Sequence, residues 1–69
     1  MHAFIELPVA EDDEIRMVLV NTANIGRIYP NPQSTKKSIV ELSYHSINDA
    51  PVYLEVEMAY EILRTRFLV

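Results

Sequence analysis

The hydrophobic pattern of this chain changes period once, near Val56. Before that point apolar residues alternate in short runs separated by turn chemistry; after it they recur at spacings of three and four. A period of two sorts side chains onto the two faces of a strand, and the longer period gathers them into one stripe on a helix. The sequence therefore reads as several strands followed by a single C-terminal helix.

The runs can be placed one by one. Ala3 to Leu7 is a strand with Ala3, Ile5 and Leu7 on one face, Phe4 and Glu6 on the other, and Pro8 ending it. Glu11, Asp12, Asp13 and Glu14 repel one another and hydrate strongly, which predicts an exposed turn. Ile15 to Val20 follows, and its Met17-Val18-Leu19-Val20 run is apolar on both faces and reads as a central strand covered on both sides. Asn21 to Asn24 can bond their own backbone, so a turn or bulge precedes the next strand, Ile25 to Tyr29. Gly26, the only glycine, marks a bulge or a close backbone approach within it.

Pro30 to Lys37, with two prolines, is the clearest loop. Ser38 to Tyr44 places Val40, Leu42 and Tyr44 inward and Ile39, Glu41 and Ser43 outward. Asn48 and Asp49 tolerate positive φ and predict a hairpin turn. The return strand, Pro51 to Val56, faces Val52, Leu54 and Val56 to the core and Tyr53 and Glu55 away. Val56, Ala59, Tyr60, Leu63 and Phe67 then form the helical stripe, widened by Ile62. Glu55, Glu57 and Glu61 near its start and Arg64 and Arg66 near its end complement the helix dipole. No Ser, Thr, Asp or Asn stands at the expected N-cap, so its first residue is loosely fixed.

Short connections imply an α+β fold, mainly β: an antiparallel meander of about five strands, curved or partly closed, with the helix covering one face. All 69 residues form one small domain. With 49% hydrophobic and 23% charged residues the chain has the means to build a packed core. A core of this size leaves only about 3–5 kcal/mol of net stability, which small domains supplement with disulfides, metals or partners. The absence of cysteine removes the first of these and fits a reducing compartment. Self-association is the remaining support. Phe4, Val18, Val20, Ile39 and Tyr53 fall on outward positions and form the expected interaction face of a homo-oligomer, with another protein as the alternative partner.

Other chemistry is sparse. No Gly-rich phosphate loop and no nucleophile motif is present, so the chain is read as a non-enzymatic interaction or regulatory module without a cofactor. His2 and His45 read as unrelated exposed histidines, and the acidic run lacks the alternating ligands and central glycine of a calcium loop, so no metal site is expected. A net charge of −4 disfavours a nucleic-acid binder. Arg27, Lys36 and Lys37 supply the one basic surface on which that alternative would rest, with Arg64 and Arg66 near the helix end. Neither a basic, apolar leader nor a run of roughly 18 apolar residues is seen, which predicts a cytoplasmic protein that spans no membrane.

Val20-Asn21, Ile25, Ile28 and Pro30, a strand at Ile39 to Leu42, and Val56-Glu57 leading into Tyr60-Glu61-Ile62 resemble the short FlbD-type proteins of flagellar operons. The resemblance runs over roughly residues 17–63. This chain departs from that pattern where Ser43 to Ala50 replaces a compact glycine-containing hairpin, and in its acidic turn. The resemblance implies a small bacterial or phage-type accessory protein of this architecture, with no catalytic residues.

Overall fold

The computed structural model describes residues 3–67. In chain order it contains β1 (Phe4–Glu11), β2 (Glu14–Asn21), a 3-10 turn (Thr22–Asn24), β3 (Ile25–Pro30), β4 (Ser38–His45), β5 (Pro51–Val56) and α1 (Tyr60–Phe67). The five strands pair antiparallel in one open sheet, followed by the single helix, which is the α+β, mainly β class expected from the sequence. Their spatial order is β2-β1-β5-β4-β3. Consecutive strands are neighbours within β1–β2 and within β3–β4–β5, but β2 and β3 are not, so the expected meander is broken there and the two pieces meet where β1 lies beside β5.

Turn chemistry sets these pairings. Asp12 and Asp13 both have positive φ, 49° and 64°, as a two-residue loop of the mirror-image type I class requires. Glu11 therefore pairs with Glu14, and the ladder runs without interruption back to Phe4 opposite Asn21. At the other hairpin Asp49 takes φ 58°, Asp49 N–H donates to the Ser46 carbonyl at 2.9 Å, and Ser46 N–H donates to the Ala50 carbonyl at 2.8 Å. Asn21 caps the 3-10 turn by accepting from the Ala23 N–H. Gly26 sits where the β3–β4 register shifts between Ile25 and Arg27, and an added Cβ there would lie 3.4 Å from the Glu41 carbonyl oxygen.

Two strand readings need correction. Pro8 does not end β1, which continues to Glu11. The Pro8 carbonyl accepts from the Glu57 N–H at 2.8 Å, so its backbone faces β5, and in an extended residue the missing N–H lies on that same side. There β1 and β5 share only the pair Val9 and Val56, so little ladder is lost. β2 is an edge strand and not a central one, and most of its residues are exposed.

The core lies on one face of the sheet. Leu7, Val9, Val20, Val40, Leu42, Val56 and Leu63 are buried, with Ile5, Val18, Ile25, Ile28, Val52, Leu54, Met58 and Phe67 packed around them. α1 contributes Leu63, which is completely buried, while Ile62 on its other side stays exposed. Val56 closes β5 rather than opening the helix, and Glu57 to Ala59 turn the chain before Tyr60. Tyr44, expected in the core, is half exposed near the end of β4. Its strand loses register with β5 between Glu41 and His45, and the inward alternation does not hold beyond that shift.

Candidate functional site: the apolar outer face of the sheet

The register between β1 and β2 decides which side chains face outward. Ile5 lies opposite Val20 and Leu7 opposite Val18, and directly opposed residues share a face. Because Ile5 and Leu7 point into the core, Val18 and Val20 must do so as well. Val20 is buried and Val18 half-buried, so both are removed from the interaction face assigned from the sequence. The intervening residues take their place. Ile15, Met17 and Leu19 are 61%, 58% and 64% exposed, beside Phe4 at 61% on β1. Pro8 and Ala10 pair with Met17 and Ile15 and continue this apolar surface on β1.

Tyr53 and Ile39 face outward as the sequence predicts. Tyr53 is half exposed and lies opposite Glu41; Ile39 is half-buried between Tyr29 and Glu55 on its neighbouring strands. Tyr29, Ile39, Tyr53 and Glu55, with the loop residues Pro32 and Gln33, line an open cleft of about 540 Å³. The outer face thus has two parts, an apolar strip along β1–β2 and a mixed aromatic and polar cleft over β3, β4 and β5.

Most of the basic residues are engaged by carboxylates of the protein. Arg27 Nε donates to Glu41 at 2.9 Å while its guanidinium lies 5.1 Å from the centre of the Tyr29 ring. The Glu41 hydrogen bond and charge hold the guanidinium pKa above its ordinary value. Lys37 Nζ lies 3.1 Å from Glu57 and 3.4 Å from Glu55, and these two carboxylates, Glu57 first, raise its pKa above 10.5. Lys36 makes no ion pair among the described residues, and Arg64 lies 3.9 Å from Glu61. Of Arg27, Lys36 and Lys37, two are paired with carboxylates of the protein itself.

Of the two histidines, His2 lies outside the described residues and His45 Nδ1 lies 3.2 Å from Asp49. Among the described residues no group of three or more His, Asp or Glu side chains is placed to hold a metal ion. The acidic run is the β1–β2 turn, and its last member, Glu14, pairs with Arg16 at 2.9 Å. No helix among the described residues is long and apolar enough to cross a membrane. Comparison of the chain with protein-family models, curated proteins and solved structures finds no match.

Proposed function

We propose that this chain is a small, non-enzymatic interaction module that associates with copies of itself through the β1–β2 strip of its outer sheet face. One observation carries the reading: Phe4, Ile15, Met17 and Leu19 are each more than half exposed on the face opposite the core. Scattered apolar side chains are ordinary on a protein surface, but Ile15, Met17 and Leu19 form a row on β2, flanked on β1 by Phe4 and Pro8 with Glu6 between them, and such a patch marks a contact surface. The core is served by the other face, so the strip is not explained by folding of a single chain. Covering it with a second copy would remove several large side chains from water at about 25 cal/mol per Å² of apolar surface. That gain supplements a core that, among the described residues, has seven buried apolar side chains.

The test is sedimentation equilibrium over a concentration series, with wild type beside the double variant Met17→Lys, Leu19→Lys. Wild type is expected to associate, and the double variant to shift toward monomer with an unchanged circular dichroism spectrum. A wild-type chain that stays monomeric at all concentrations would remove the reading.

A further inference from the structure

The self-association just proposed leaves open how two copies meet, and the free edge of β2 answers that question. A two-residue hairpin loop makes its flanking pair, here Glu11 and Glu14, a hydrogen-bonded pair, and such pairs recur at every second residue. Arg16, Val18 and Val20 consequently turn their backbone groups toward β1. The next residue of that series obeys the rule, because Thr22 N–H donates to the Ala3 carbonyl at 3.0 Å. Ile15, Met17, Leu19 and Asn21 therefore present their N–H and C=O groups at the open edge. The same strand segment carries both the exposed apolar side chains and the unpaired backbone.

Exposed edges are ordinarily blunted by prolines, bulges or inward charges. β3, at the opposite edge, has such devices: the register shift at Gly26 and Pro30 as its last residue. β2 has no proline, no glycine and no bulge over its eight residues. Its only charged side chains, Glu14 and Arg16, lie on the core-side face, Arg16 opposite Val9, and there they pair with each other at 2.9 Å, so the one inward charge of this edge is compensated.

We infer that a second copy of this chain pairs antiparallel with β2, the two-fold axis passing at Val18, so that Leu19 of each copy lies opposite Met17 of the other. Charge and strand overlap select this arrangement, since an axis at Leu19 would carry Ile15 past Asn21, the last residue of the partner strand. A parallel pairing would bring two acidic turns, Glu11 to Glu14, side by side in a protein of net charge −4. The antiparallel pairing sends each acidic turn to the uncharged Thr22–Asn24 end of the other copy. An axis at Arg16 would oppose two guanidinium groups directly, and an axis at Met17 would leave them diagonal neighbours. With the axis at Val18, Arg16 faces Val20 and Glu14 faces Thr22. The two rows of Ile15, Met17 and Leu19 then join into one apolar surface.

This arrangement rests on the self-association reading, and one set of measurements separates the two. Amide hydrogen exchange of wild type, followed by NMR, is expected to show Ile15, Met17 and Leu19 protected at high concentration and exposed on dilution. Arg16, Val18 and Val20 should stay protected throughout. In sedimentation, Met17→Pro removes an edge donor without touching the β1 ladder and should weaken association by about tenfold or more. Tyr53→Glu, two strands away, should leave it unchanged. If wild type is monomeric, both ideas fall. If it associates while the Ile15, Met17 and Leu19 amides exchange freely at every concentration, or if Tyr53→Glu abolishes association, the edge pairing alone is overturned. The exchange experiment uses wild type and so remains decisive if Met17→Pro fails to fold.

Discussion

Ser38 Oγ donates to the Met58 carbonyl at 2.7 Å, joining the first residue of β4 to the turn that launches α1. Ser38 is the only buried polar residue among those described, and this bond satisfies it. Ser38→Ala would leave the Met58 carbonyl without its donor, at a cost of about 1–3 kcal/mol in urea unfolding. The sheet ladder is made by backbone groups, so the strand itself should persist.

The helix packs on the core through Leu63, with Phe67 partly buried beside it. Leu63 is fully buried in the core, whereas its neighbour Ile62 is exposed. Leu63→Ala is expected to destabilise by about 2–5 kcal/mol, because transfer and cavity costs add. Ile62→Ala should stay within about 0.5 kcal/mol of wild type. Chemical denaturation of the two variants side by side checks the face assignment.

The β1–β2 turn holds two non-glycine residues at positive φ, at Asp12 and Asp13, inside a run of four acids. Replacing the pair by Asn-Gly relieves the αL strain at the second position and removes two like charges. An increase in stability of about 1 kcal/mol is expected, larger at low salt than at high salt. A melting series at two ionic strengths reads both effects.

Lys37 gives the fold an alkaline signature. Its pKa is raised in the folded state by Glu57 and Glu55, so the ion pairs contribute stability fully below the unfolded value and lose it as pH rises through the folded one. The window therefore opens above pH 10.5. Lys37→Met should be less stable than wild type at neutral pH, with the gap narrowing as the pH climbs past that point. Lys37 is exposed enough that added salt should also narrow it.

How far the sequence reveals these features depends on how each is encoded. Val40, Leu42, Val52, Leu54 and Val56 alternate with polar residues, so their faces can be read directly, and β5 matches its expected bounds, Pro51–Val56. Leu63 is likewise plain from helical spacing. β2 has apolar residues on both faces, and local alternation cannot tell Val18 and Val20 from Met17 and Leu19. The missing signal lay in the turn: a two-residue loop at Asp12–Asp13 counts back from Glu11 and Glu14 to pair Leu7 with Val18. Treating the whole acidic run as loop discards that count. Pro8 misleads for another reason, since its lost donor faces the narrow side of β1, a fact set by tertiary neighbours. Edge or central position is likewise a property of the assembled sheet, and nothing local to β2 records that β5, not β3, becomes the neighbour of its hairpin.

The short junction between β1 and β5 also bears on how the chain reaches this state. Hairpins β1–β2, β3–β4 and β4–β5 each join segments adjacent in sequence, whereas Val9 must find Val56 across most of the chain. Loop closure makes such distant contacts entropically late, and few interactions reward this one before Leu63 docks. Two preformed ribbons that wait for a single zipper tooth make Val9 and Val56, both buried, positions where a truncation slows the joining of the ribbons as well as lowering the stability of the joined sheet.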